Sequence, residues 1–155
     1  MKLWFSITAT LLTLILFLSA CKKNEAEFIL NEFCGNVSFY AEGSEYKGDF
    51  ILKNNDEMYF TVSTPEAIMG CEFSFKNGET MLSYDGIIIS LQDTSPVKQL
   101  FEAVEILAET PHRITHNGNV TFTEQAEMNR FEGVVDTKEM KLKTIRTGDT
   151  VYIFS

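Results

Sequence analysis

The sequence predicts a mainly β (α+β) domain: a strongly curved antiparallel sheet, or incomplete barrel, of about nine or ten strands wrapped around one main helix. Three observations predict it. Short runs alternate apolar and polar residues with period two, and Gly, Asn and Asp clusters separate them. A single stretch near the middle, Ser95 to Ala108, carries a helical period instead. Finally, the sheet is too large for one helix to cover if it stays flat, so curvature around the helix is the economical way to bury both apolar faces.

The first 20 residues stand apart. Met1 and Lys2 form a minimal positive start, and Leu3 to Leu18 follow without a charge. That run has the form of a signal-peptide core and is slightly short for a span of about 20 apolar residues. It ends in Leu18-Ser19-Ala20-Cys21, small residues before a cysteine. The string resembles a bacterial lipoprotein processing site, in which the thiol of Cys21 takes a diacylglyceryl group as a thioether. The alternative is an uncleaved anchor helix with an incidental Cys. The resemblance implies lipid attachment at Cys21, a palmitate-type acyl anchor and an extracytoplasmic position at the cell membrane. Residues 1–20 are then the signal peptide, 21–27 a lipidated tether and 28–155 the folded domain. Seven extended residues reach only about 23–25 Å, which keeps the domain near its bilayer.

Composition narrows the classes. The chain carries net charge −9, and Lys2 is the only charge in residues 1–20, so the remainder carries −10. This balance disfavours nucleic acid and anionic headgroups as partners. With Cys21 assigned to lipid, Cys34 and Cys71 remain as candidates for one disulfide, or as two small buried hydrophobes. No CxxC spacing occurs, so neither zinc nor dithiol redox chemistry is indicated.

Along the domain, Val37, Phe39 and Ala41 alternate with polar neighbours up to a turn at Glu42-Gly43-Ser44. Tyr46 to Lys53 alternates again, Asn54-Asn55-Asp56 turns the chain, and Met58, Phe60 and Val62 line one face. In Thr64 to Gly70, Thr64 is placed to cap and Pro65 to begin one helical turn. Phe73 and Phe75 resume the alternation before a tight turn at Asn77-Gly78. Met81 to Tyr84 and Ile87 to Leu91 flank Asp85-Gly86, and the unbroken Ile87-Ile88-Ile89 predicts burial on both faces. In the helix, Ser95 caps and Pro96 occupies the first position. Val97, Leu100, Phe101, Val104, Leu107 and Ala108 make one face, and Lys98, Glu102, Glu105 and Glu109 the other. A loop runs from His112 to Gly118, and strands follow at Val120–Thr123, about Met128–Val135, Met140–Ile145 and Val151–Phe154. The last, apolar on both faces, is expected inside the sheet.

Catalytic motifs are missing. His112 and His116 are four apart, but Arg-Ile-Thr between them lacks the glutamate of HExxH, and no GxSxG, P-loop or GxGxxG occurs. The sequence indicates no enzyme, cofactor or metal. It does hold thirteen phenylalanines, eleven of them after residue 20. They serve either as an ordinary β core or, for Phe60, Phe73, Phe75 and Phe101 together with Leu100 and Val104, as the lining of a hydrophobic groove.

Four strings carry a further resemblance. They are Ser63-Thr64-Pro65-Glu66-Ala67-Ile68, then Phe73-Ser74-Phe75-Lys76-Asn77-Gly78, then Leu82-Ser83-Tyr84-Asp85-Gly86, and Ser95-Pro96-Val97-Lys98-Gln99-Leu100-Phe101. Their order resembles the LolA/LolB-like lipoprotein-carrier superfamily over about residues 36–155. The resemblance implies a half-barrel with a helical lid that holds acyl chains or a partner segment. More narrowly, the chain is similar to small lipoproteins of spore-forming Gram-positive bacteria, some of which support a cell-wall amidase. Either way the implied partners are a membrane, through Cys21, and an acyl ligand or envelope protein. Lipidation departs from the soluble shuttles of the superfamily.

Overall fold

A computed structural model describes residues 26–54, 56–92, 95–115, 117–123 and 130–155. Ten strands form one antiparallel, curved and unclosed sheet. They are β2 (Phe33–Ala41), β3 (Ser44–Lys53), β4 (Glu57–Thr64), β5 (Glu72–Lys76), β6 (Glu79–Tyr84), β7 (Ile87–Leu91), β9 (Asn119–Thr123), β10 (Arg130–Asp136), β11 (Lys141–Thr147) and β12 (Thr150–Phe154). Their order is β7-β6-β5-β4-β3-β2-β12-β11-β10-β9, so β7 and β9 are the edges. Two short strands, β1 (Glu27–Phe28) and β8 (His112–Arg113), pair separately. The helix α1 spans Pro96–Glu109. This is the predicted fold class, with the main sheet at the upper end of the expected count.

Turn chemistry fixes the register. Glu42-Gly43, Asn77-Gly78 and Asp85-Gly86 each hold two consecutive residues at positive φ, the conformation that matches strand twist across a two-residue loop. Ladders therefore close at Ala41–Ser44, Lys76–Glu79 and Tyr84–Ile87. Curvature has a local source at Gly48. The β3–β4 register shifts between Lys47 and Gly48, and a Cβ on Gly48 would run into the Thr61 carbonyl oxygen and the Phe60 ring. Glycine lets the bulged strands approach there and turn.

The helix forms as its cap predicts. Ser95 Oγ accepts from the Lys98 backbone N–H at 3.2 Å, and Pro96 opens the first turn. Its apolar face, Val97, Leu100, Phe101, Val104, Leu107 and Ala108, is buried against the concave side of the sheet. Phe101 meets the rings of Phe50 and Phe75 with centroids 6.1 and 5.8 Å away. Tyr152 donates its hydroxyl to the Pro96 carbonyl at 2.7 Å and so ties the helix start to β12. At the other end, His112 Nε2 lies 2.9 Å from the Ile106 carbonyl, so the ring donates to the last helical turn. Among the described residues the buried core runs from Phe28 to Phe154.

Three expectations are corrected, on the isoleucine run, the Thr64 cap and His112. Ile87, Ile88 and Ile89 are not buried on both faces; they are 64%, 66% and 52% exposed on the edge strand β7. Thr64 ends β4 instead of capping, and Pro65 precedes a 3-10 turn at Glu66–Ile68 with no side-chain cap. His112 sits in β8, not in a loop. Cys34 and Cys71, for which the sequence leaves a disulfide and two free thiols open, are both free here, Cys34 exposed and Cys71 buried. They stand on opposite sides of β3 and β4: Cys34 pairs Ile51 on β3, and the Cys71 carbonyl accepts from Val62 on β4. Strand spacings of about 4.8 Å put them beyond the roughly 7 Å that a disulfide spans. By contrast β12 lies between β11 and β2, the interior position its two apolar faces require.

Candidate functional site

Five directly opposite residues make one row across the concave face. Phe50 faces Phe60, Phe60 faces Phe73, Phe73 faces Leu82, and Leu82 faces Ile89. The cause is period two: each strand presents alternate residues inward, and the ladders align them. Exposure grows along the row. Phe50 and Phe60 are fully buried, Phe73 and Leu82 partly buried, and Ile89 exposed. The neighbouring row, Met58, Phe75, Thr80 and Leu91, stays covered as far as Thr80. The concave face therefore emerges from the core at Phe73.

A cleft of about 350 Å3 opens at that point, lined by Phe39, Glu42, Tyr46, Ile68, Phe73, Ser95, Pro96 and Val97. Each wall follows from local structure. Phe39 and Tyr46 face each other in the β2–β3 ladder, with rings stacked at 5.0 Å and 5°. The 3-10 turn after β4 brings in Ile68. The helix start supplies Ser95, Pro96 and Val97. Glu42, at positive φ in the β2–β3 turn, is the single charged residue of the lining among the described residues. The volume lies at the low end of the roughly 300–1,000 Å3 usual for small-molecule sites. Behind the cleft, Tyr152 meets Phe39 with centroids 5.1 Å apart. Burial first, then the Glu102 carboxylate, pushes the Tyr152 phenol above its ordinary pKa, so it stays a neutral hydrogen-bond donor.

The six groove candidates separate cleanly. Phe60, Phe75, Leu100, Phe101 and Val104 are sealed between sheet and helix, because α1 fills the concavity with its own side chains. Phe73 alone of the six reaches the cleft. The rest of the wall, Phe39, Glu42, Tyr46, Ile68, Ser95, Pro96 and Val97, consists of residues that the sequence did not single out as groove lining. Their signal was present in part: Phe39 and Tyr46 flank a two-residue hairpin, and Pro96 and Val97 open the helix. Cys21 and His116 lie outside the described residues. Among the described residues no group of three or more His, Cys, Asp or Glu is placed to hold a metal ion.

No protein-family model matches the chain, and no curated protein matches it in sequence. Among solved structures it is similar to the crystal structure of the LolA superfamily protein NE2245 from Nitrosomonas europaea. The two share 13% identity and a TM-score of 0.49 over 83% of this chain and 86% of that one.

Proposed function

We propose that this chain is a membrane-anchored, non-catalytic lipoprotein that holds a hydrophobic ligand, an acyl chain or lipid, in the cleft beside α1. The observation that carries the reading is the row Phe50–Phe60–Phe73–Leu82–Ile89, an apolar surface that leaves the core and continues into open space. The stacked Phe39 and Tyr46 and the helix start flank it, and Glu42 at the rim is suited to orient a polar headgroup. Cys21, after Leu18-Ser19-Ala20, supports attachment to the outer face of the cell membrane. The LolA-like order of elements noted in the sequence supports a carrier-type role. The test is a titration of residues 22–155, which contain the whole described core, with a fluorescent fatty acid. Saturable binding that weakens in Phe73→Asp supports the reading, and no binding to the wild type opposes it.

The small cleft favours a second reading: it accommodates a few apolar side chains of a partner segment as readily as a long acyl chain. The partner would be an envelope protein such as a cell-wall hydrolase, for which this chain acts as a structural adaptor. The net charge of −9 suits a basic partner. Crosslinking in intact cells separates the two readings, because a hydrolase recovered with the chain supports the adaptor.

A further inference from the structure

We propose that β7 pairs antiparallel with the β7 of a second copy of this chain, so that two curved sheets join across a two-fold axis at Ile89. The starting point is a difference between the two edges. β9 alternates in the ordinary way, with Val120 and Phe122 buried and Asn119 and Thr121 exposed. β7 reads Ile-Ile-Ile-Ser-Leu, and its three isoleucines are each more than half exposed. It carries no charge, proline or bulge, the usual devices that keep an edge from pairing.

The ladder fixes which groups are open. Tyr84 and Ile87 flank a two-residue turn, so they exchange hydrogen bonds, as do Leu82 with Ile89 and Thr80 with Leu91. The N–H and C=O of Ile88 and Ser90 consequently point away from β6. A second β7 in antiparallel sense satisfies them in one full-length register. Ile88 faces the partner copy's Ser90 and Ser90 its Ile88, which makes four backbone hydrogen bonds. Ile89 faces its own symmetry mate, and Ile87 faces Leu91. The strand is thus its own complement.

Charge and shape select this occupant. In a chain of net charge −9, these five residues bring no like charges together. A lipid surface fits less well: Asp85 occupies the tip of the β6–β7 hairpin, and isoleucines exposed on both faces each gain a cross-strand neighbour from an added strand, whereas a lipid surface meets one face. The pairing also joins the two concave faces, since the row Phe73–Leu82–Ile89 continues into its own image. A five-residue contact falls short of the roughly 1,200–2,000 Å2 buried by stable complexes, so the dimer is weak and concentration-dependent. The inference does not depend on what fills the cleft.

Sedimentation equilibrium of residues 22–155, carrying Cys34→Ser, tests it across a wide concentration range. The mass should rise from monomer toward dimer and stop there. Ile88→Lys should remain monomeric with an unchanged circular dichroism melt. In the same background Ile89→Cys should oxidise to a covalent dimer, because facing residues at a non-hydrogen-bonded position lie about 4.5 Å apart. Ile88→Cys should not, since its two copies sit two residues out of register. The proposal is overturned by a wild type that stays monomeric throughout, with or without binding to lipid vesicles. Association that survives Ile88→Lys, growth past the dimer, or crosslinking through Ile88→Cys in place of Ile89→Cys also overturns it. Fatty-acid binding by a monomer would defeat this pairing and leave the proposed function standing.

Discussion

Leu82 lies directly opposite Ile89 in the β6–β7 ladder, and through it the apolar row that begins at Phe50 under α1 reaches the open edge of the sheet. The row divides the phenylalanines into those that hold the fold and those available to a ligand. Phe101, fully buried against Phe50 and Phe75, belongs to the first group. Phe101→Ala should cost about 3–5 kcal/mol in urea unfolding, the usual penalty for emptying a large core site. Phe73→Ser should cost clearly less, because Phe73 is only partly buried. Equal losses at the two positions would contradict the division.

The helix start is held from two sides. Removing the cap with Ser95→Ala should destabilise by about 1 kcal/mol. Tyr152→Phe, which deletes the bond to the Pro96 carbonyl, should cost about 0.5–1.5 kcal/mol. Both act on the wall of the cleft, so each should also weaken ligand binding. A double mutant whose losses simply add would show that the two ties act independently.

Gly48 predicts a backbone effect. Gly48→Ala places a methyl group against the Thr61 carbonyl and the Phe60 ring. Overpacking of this kind costs typically about 1–3 kcal/mol, here through the β3–β4 bulge. A wild-type melt for this variant would show that the bulge relaxes freely.

The two cysteines should separate by reactivity. In native residues 22–155, Ellman's reagent should titrate the exposed Cys34 quickly and the buried Cys71 only after unfolding. Mild oxidation should leave no intramolecular bridge. A disulfide linking Cys34 to Cys71 in the native protein would contradict the strand order.

Asp136 supplies a pH-dependent contact. Lys143 lies 2.8 Å from one carboxylate oxygen, and the backbone N–H groups of Lys138 and Glu139 reach the other at 2.9 and 3.3 Å. The Lys143 hydrogen bond first, and then those two N–H groups, hold the Asp136 pKa down to about 2. A depressed carboxyl pKa means that the charged form is favoured in the folded state. The contribution is therefore present above the ordinary carboxylate range and lost as pH falls toward about 2. An NMR titration of Lys143→Ala should show the Asp136 pKa rising.

The elements that the sequence made legible are those fixed locally. The helix was marked by Ser95, Pro96 and a three-four repeat, and three hairpins by residue pairs that tolerate positive φ. β1 and β8 are two residues long, too short to leave a period, and they exist because Glu27 and Phe28 meet Arg113 and His112 across the fold. The Ile87–Ile89 run was misread because apolar residues on both faces describe an interior strand and a sticky edge equally well. Strand order decides between them, and strand order is a long-range property. The same limit hid the cleft. Alternation assigned Phe60, Phe73 and Phe75 to one face, but where α1 stops covering that face depends on how the helix lies across it.

The most direct measurement is mass spectrometry of organic extracts from purified residues 22–155, run beside Phe73→Asp. The account predicts a fatty acid or phospholipid recovered in near-stoichiometric amount from the wild type and reduced in the variant. A clean extract from the wild type, with no shift in melting temperature on adding fatty acid, would contradict the claim that the cleft holds a hydrophobic ligand.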